Sequence, residues 1–342
     1  MIVTSLDESI ERAAKDLGIV LVGYSSIERT EYSRIVQDRI ERGLIPKKII
    51  QATDCFKNPD VYSDPARSMA GAKTLICVGG PYLESKARPN DFKSHGAIGR
   101  HYWRDSYTDL EAKRNALIDW LKGQGLDAVP AKVHPREAAF ETGLAWIGRS
   151  ALAINPTYGS WVLYYSLVTD AFLAPSERIS KSCPKGCRRC MDSCPTKALI
   201  EPYTLDVSRC LNFILEDTGT IPEWARDGVG NKINGCDVCQ EACPMNSKVK
   251  PAPQPLTASE PNPGLVPFPE LERCFSVTED EMKVNYGYMD WFEPTTRYLK
   301  RNALIAVGNS ADHDLSKTAE RFLDSKDQIL RNHARWAKDR LR

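Results

Sequence analysis

The sequence predicts an α+β protein in which a small cysteine-framed domain separates a mixed strand-and-helix front from a helical tail. Three observations lead there. Apolar strands and amphipathic helices alternate over the first half of the chain. Eight of the eleven cysteines fall between positions 183 and 244. The last stretch, from residue 297, reads as helices alone. The boundaries expected from these changes of pattern are 1–177, 178–248, 249–296 and 297–342.

In the front part, residues 5–17 place Leu6, Ile10, Ala13, Ala14 and Leu17 on one helical face, and Gly18 ends the helix. Residues 19–24 (IVLVGY) form a short apolar strand, and 31–43 a second helix that stops at Gly43. Residues 74–79 (TLICVG) form a buried strand, with Gly80-Pro81 as a break. A long helix over 105–123 turns Leu110, Leu117, Trp120 and Leu121 inward, and a shorter one covers 136–144. Residues 161–168 (WVLYYSLV) are a strand of aromatic and branched side chains.

A length of 342 residues suits two or three domains that bury a core without disulfides. A formal net charge of +1 excludes global attraction to nucleic acid, so any basic surface is local. No run approaches the ~18 apolar residues of a membrane span. The acidic, amphipathic start is unlike a secretory signal, and a thiol-rich chain of this kind is expected in a reducing cytoplasm.

The cysteines fall in two runs, Cys183, Cys187, Cys190, Cys194-Pro and Cys236, Cys239, Cys243-Pro, with Cys210 between. Paired C-x3-C-P endings resemble the two-cluster bacterial ferredoxins, in which the last cysteine of each run ligates the other run's cluster. That resemblance implies Cys183, Cys187, Cys190 and Cys243 on one [4Fe–4S] cluster, and Cys194, Cys210, Cys236 and Cys239 on the second. The first gap holds three residues where a ferredoxin has two, and Gly186 absorbs the extra one if it adopts positive φ. Two four-cysteine zinc sites are the alternative, which the paired endings disfavour. Of the other cysteines, Cys77 reads as a buried small hydrophobe, and Cys55 and Cys274 receive no role.

Seven prolines, at 251, 253, 255, 261, 263, 267 and 269, predict an extended wrap. Helices are expected over 298–307, 314–323 and 327–341, and they must pack on the rest of the protein.

Taken together, these motifs resemble the epoxyqueuosine reductase family, and more distantly the reductive dehalogenases. The matching segments are Gly143-Leu-Ala-Trp146-Ile-Gly148-Arg149-Ser150, Ile154-Asn-Pro-Thr-Tyr-Gly159-Ser160-Trp161, Asn234-Gly235-Cys236-Asp237-Val-Cys239-Gln240 and Cys243-Pro-Met-Asn246. Arg100-His-Tyr102, Arg301-Asn-Ala303 and Val307-Gly-Asn309 add to them. The resemblance implies a nitroreductase-like front domain that binds cobalamin, beside the two-cluster ferredoxin-like domain and the C-terminal helices, whose spacing is HEAT-like. It implies that two clusters feed electrons singly to cobalt, which removes oxygen from an epoxide on a modified tRNA base or halide from an organohalide. It places Arg100, Tyr102, Trp146, Ile154, Ser160, Asn234 and Gly235 at the cobalamin.

One position departs from the family. An aspartate precedes the Trp-Ile-Gly motif in epoxyqueuosine reductases, and Val129 or Pro130 stands there here. Asp127, His134 and Glu137 are the nearby acids or bases, and His134 is the expected substitute donor, with Tyr102 as a second catalytic candidate. His101 beside it titrates in the switch range. The implied partners are tRNA and an external low-potential electron donor of ferredoxin or flavodoxin type. The cations Arg331, Arg335, Lys338, Arg340 and Arg342 suit either RNA phosphates or a solvated helix end. A protein that keeps the clusters but has lost the catalytic acid, and only transfers electrons, is the alternative class.

Overall fold

The computed structural model describes residues 5–84, 89, 92–251, 265–289 and 295–341. The front is built on a four-stranded antiparallel sheet in the order Leu21–Ser26, Thr74–Pro81, Val162–Thr169, Ala128–Pro130. Alternation along the second strand sends Ile76 and Val78 to one face and Leu75 and Cys77 to the other. The first face is covered by helices Leu6–Asp16 and Ser106–Gly123, through Ile10, Leu117 and Leu121. The second is covered by helix Pro135–Glu141, through Ala138 and Ala139. Helices on both faces explain why these strands read as unbroken apolar runs.

Several elements differ from expectation. The first strand begins two residues late, because Gly18 at φ 74° and Ile19 still complete the helix end: the Ile19 N–H donates to the Ala14 carbonyl. Gly80-Pro81 is no break. The strand runs through both, paired with Leu163 and Val162, and proline is tolerated as its last residue. Trp120 is only partly buried at the core's margin.

The stretch between Cys210 and Cys236 crosses to the front, where Lys232–Asn234 pairs in parallel with Ala97–Ile98. Pro267 and Pro269 accept hydrogen bonds from the amides of Ile98, on that short strand, and Gly96, just before it. Prolines 253, 255, 261 and 263 lie outside the described residues. Not all of 249–296 is a wrap: Leu271–Cys274 and Glu279–Tyr286 are helices whose Leu271, Cys274, Met282 and Tyr286 enter the tail's core. At four and eight residues they are too short for periodicity to reveal.

In the tail, helix Thr296–Asn309 continues through Gly308. A Cβ there would meet the Trp336 ring at 2.5 Å and the Ala337 Cα at 2.9 Å, so glycine lets helix Gln328–Arg340 come close. The middle helix is only Ser316–Glu320, preceded by a 3-10 turn, His313–Leu315. The tail's core also takes in Ile98, Tyr102, Trp103 and Ile233, so front, cluster stretch and tail share apolar surface. No helix among the described residues is long and apolar enough to cross a membrane.

Candidate active site

The eight cysteines gather in two groups of four. Cys183, Cys187, Cys190 and Cys243 border one small cavity with Arg149, Ile154 and Met245. Cys194, Cys210, Cys236 and Cys239 border a second, larger one. Each quartet takes a cysteine from the other run, because helix Arg189–Ser193 packs against helix Val238–Glu241. Gly186 has φ 73°, the conformation that accommodates the extra residue.

The free thiols here stand where a cluster's thiolates would be. Burial, then their mutual repulsion as anions, pushes Cys239 well up and Cys210 up to about 12. Cys190 and Cys243 rise for the same two reasons. Cys194 is the exception: burial opposes ionisation, but the Thr196 hydroxyl and the amides of Ala198, Thr196 and Leu199 outweigh it. Grouped sulfurs that repel one another as anions call for a cationic centre between them.

The larger cavity, of about 490 Å³, is walled by the second quartet on one side and by strand residues Val162, Leu163, Tyr164 and Tyr165 on another. Tyr82, His101, Tyr107, the 150–153 turn and His134–Arg136 complete it. Its lining is mostly apolar with a few polar groups, as small-molecule sites are. No carboxylate is among the described residues that line it.

Two polar devices stand on its wall. The Ser160 hydroxyl donates to Gln240 Oε1 at 2.9 Å, the Tyr82 hydroxyl donates to the same oxygen at 3.2 Å, and Asn246 Nδ2 donates to Ser160 Oγ at 2.8 Å. Gly159, at φ 61°, is needed here, since a Cβ would lie 2.0 Å from Asn246 Oδ1. The Gly159-Ser160 turn therefore locks the front sheet to the cluster stretch. The second device is His134, which precedes helix Pro135–Glu141 and stacks on Tyr32 with ring centroids 4.5 Å apart. Its Nδ1 is buried with no hydrogen-bond partner among the described residues. Burial, then the nearby Arg136 and Arg39 cations, holds its pKa well below the usual histidine range, so the ring is neutral. Arg136 is fixed by the Ala151 carbonyl at 3.1 Å and Glu137 Oε1 at 3.0 Å.

Of the catalytic and cobalamin residues expected, His134 and Ser160 line the cavity, and so does His101. Tyr102 does not: it is buried in the tail's core, and its hydroxyl donates to Glu216 Oε1 at 3.0 Å. A large aromatic there fills space between front and tail. Arg100 lies behind the second quartet, between the Trp103 and Trp161 rings, ion-paired to Asp237 at 3.2 Å and Glu241 at 2.7 Å. Trp146 pairs with Ile154, which borders the first quartet instead. Asn234 is buried against Met289. Gly235, at φ 72°, touches Gly99, where a Cβ would meet backbone at 2.9 Å.

Asp127 lies beside Asp170, and Glu137 is buried against Arg136, so neither faces the cavity. Val129 and Pro130 are sheet residues paired with Val168 and Leu167. Tyr82, Tyr107, Arg136, Asn212 and Gln240 line the site without having been expected there. They come from separate segments and carry no motif; only Gln240 sat inside a quoted block. On the terminal helix, Lys338 pairs with Glu320, Arg340 pairs with Asp227, and Arg331 bonds the Ser325 carbonyl and Gln328. Arg342 is outside the described residues.

Comparison with known proteins accounts for this arrangement. Residues 183–246 match the family described as "4Fe-4S double cluster binding domain". An epoxyqueuosine reductase from Lactococcus garvieae is 30% identical over 98% of this chain and 96% of its own length. One from Bacillus subtilis is 25% identical over 98% and 88%. The solved epoxyqueuosine reductase of Streptococcus thermophilus superposes with TM-score 0.86 at 25% identity, covering 99% of this chain and 90% of that one. Another, in complex with an epoxyqueuosine-modified tRNA-Tyr stem loop, shares the fold at TM-score 0.86 and 22% identity, over 98% and 90%. Similarity of this extent along both chains establishes that the protein belongs to the epoxyqueuosine reductase family of oxidoreductases.

Proposed function

We propose that this chain removes the epoxide oxygen of epoxyqueuosine in tRNA, in the cytoplasm, as a reductase dependent on two [4Fe–4S] clusters and cobalamin. The observation that carries this is the make-up of the large cavity: the second cysteine quartet and apolar strand and aromatic residues line one and the same space. A flat, largely apolar macrocycle suits such a space, with Ser160, Gln240 and Arg136 offering polar contacts at its edge. The residues present thus fit the group. When bound, cobalamin would supply the two-electron reductant for cleavage of the carbon–oxygen bonds.

The remaining steps belong to the chain's own residues. Loss of the epoxide oxygen as water consumes two electrons and two protons. Clusters held by the two quartets would carry electrons from the first, beside the exposed turn at Gly186, to the second, which borders the cavity. His134 handles a proton. Held neutral by burial and by two cations, it stores none at neutral pH. Negative charge developing on an oxygen beside it raises its affinity, so a proton passes through it as the oxygen leaves. In this reading residues 1–177 form the nitroreductase-like cobalamin domain, 178–248 the ferredoxin-like domain and the tail a HEAT-like support, while tRNA approaches the cavity and an external carrier supplies electrons.

The test uses anaerobically purified protein with both clusters. It should retain hydroxocobalamin through gel filtration and convert epoxyqueuosine in tRNA when reduced chemically. A spectrum of clusters alone after filtration would instead leave an electron-transfer protein. Corrinoid retention with activity only on an organohalide would assign a different substrate.

A further inference from the structure

The net charge of +1 conceals one concentrated basic surface. Lys181, Lys185, Arg188 and Arg189 are all exposed, and they surround Cys183 and Cys187 in the sequence, against one carboxylate, Asp192, paired to Arg188 at 3.4 Å. The extra residue in the first cysteine gap belongs to this surface. Residues 184–187 make a tight turn closed by the Cys187 amide on the Pro184 carbonyl at 3.0 Å, with Gly186 at φ 73°. Nothing lies within 4 Å of where a Gly186 Cβ would be, so the turn stands out in solvent with Lys185 exposed beside it. Behind it, Arg149 donates its amide to Cys183 Sγ at 3.3 Å and its guanidinium to the Cys187 carbonyl at 3.1 Å, which fixes the turn's base.

We propose that this turn and its four cations are the landing site of an acidic one-electron carrier protein of flavodoxin or ferredoxin type. The proposal rests on the assignment of Cys183, Cys187, Cys190 and Cys243 as cluster ligands. The exposed turn, between two of the first cluster's ligands, meets the partner, and the cations attract an acidic surface over a Debye length of about 10 Å at 0.1 M salt. Each encounter moves one electron: the carrier is oxidised by one, the first cluster is reduced by one, and no bond forms. Two encounters supply one turnover. An RNA is the less suitable occupant. The substrate cavity borders the second quartet and not the first. Residues 181–197 also hold no aromatic side chain on which a base could stack.

The test compares the cluster-loaded wild type with the charge reversal Lys185→Glu/Arg188→Glu/Arg189→Glu, and with the milder Lys185→Gln/Arg189→Gln should the reversal lose iron. Stopped-flow reduction by a reduced acidic flavodoxin should slow about tenfold or more at low salt in the reversal. It should slow less in the neutral variant, and the wild-type rate should fall as salt rises. Reduction by photoreduced deazaflavin, and the binding of tRNA, should stay as in wild type. A wild-type rate indifferent to salt and to charge reversal overturns the proposal. So does a reversal that weakens tRNA binding while leaving flavodoxin reduction intact, which would make the surface an RNA contact. Epoxide removal driven by deazaflavin reports separately on the reaction itself.

Discussion

At the scale of single residues, the site depends on how burial sets protonation. His134 is a buried imidazole beside two arginines, and its charged form is disfavoured by the protein around it. Its folded pKa is depressed, so the protonated fraction grows as pH falls toward that value. If His134 passes the proton, the chemical step should accelerate from pH 8 to pH 6. His134→Gln keeps a hydrogen-bonding side chain but cannot relay a proton in this range. It should lose about 10²–10⁴-fold in single-turnover rate, keep its iron and corrinoid, and lose the rise at low pH. A His134→Gln rate within a few-fold of wild type, with the same pH profile, would remove this residue from the chemistry. Asp127 and Glu137 also lie near the family aspartate's position in the sequence. What separates them from His134 is which way the start of helix Pro135–Glu141 faces, and spacing does not encode that.

At the scale of elements, the terminal helix Gln328–Arg340 shows how one side chain docks a whole segment. His333 is fully buried, accepts the Ile221 amide at Nε2 (3.1 Å), and places Nδ1 2.7 Å from the Ile329 carbonyl. Those roles require a neutral ring carrying its proton on Nδ1. Burial first, then the Arg226 and Arg301 cations, lowers its pKa to about 4 against the opposing Ile329 carbonyl and Asp327. Because the folded value is depressed, the unfolded chain takes up a proton first. The stabilisation is whole above about pH 6.5 and is lost as pH falls from there toward 4. At pH 5 the loss is about 2 kcal/mol. The wild-type melting temperature should therefore drop a few degrees more between pH 7 and pH 5 than that of His333→Gln, whose amide can accept the same N–H without titrating. Parallel declines in the two proteins would refute it. This contact also marks where sequence reading stops. Helices with a full apolar face, such as Leu6–Asp16, were legible within a residue or two at each end, and strands within two, because period and burial agree there. The two cysteine runs were legible because ligand spacing is imposed by covalent chemistry. The short helices Leu271–Cys274 and Glu279–Tyr286, the pairing of Lys232–Asn234 with Ala97–Ile98, and the cavity's lining were not, since each depends on partners far away in the chain.

At the scale of the whole molecule, the question is why a helical tail is needed by a cluster protein at all. Arg301, on helix Thr296–Asn309, answers it. The side chain is completely buried, and its guanidinium donates to the carbonyls of Leu215 at 2.9 Å, Ile214 at 3.3 Å, Gly219 at 2.5 Å and Asp217. Asn302 beside it donates to the Leu215 and Ile233 carbonyls. These carbonyls belong to the end of helix Leu211–Glu216, the turn after it and strand Lys232–Asn234. That helix starts at Cys210, and that strand leads into Cys236, so two cysteines of the second quartet hang from elements the tail clamps. Burial lowers the Arg301 pKa to about 10, against the opposing charge of Asp217, which still leaves it charged at neutral pH. Arg301→Met would keep most of the volume and strip several buried carbonyls of their donor, at about 1–3 kcal/mol for each one left unpaired. The expected result is selective: about half the iron lost, with the second cluster and corrinoid retention gone and the first cluster's absorbance kept. Full iron content and unchanged corrinoid binding in Arg301→Met would mean that the tail merely covers the cluster stretch. Loss of both clusters together would mean that the two quartets fold as one unit whose stability the tail sets as a whole.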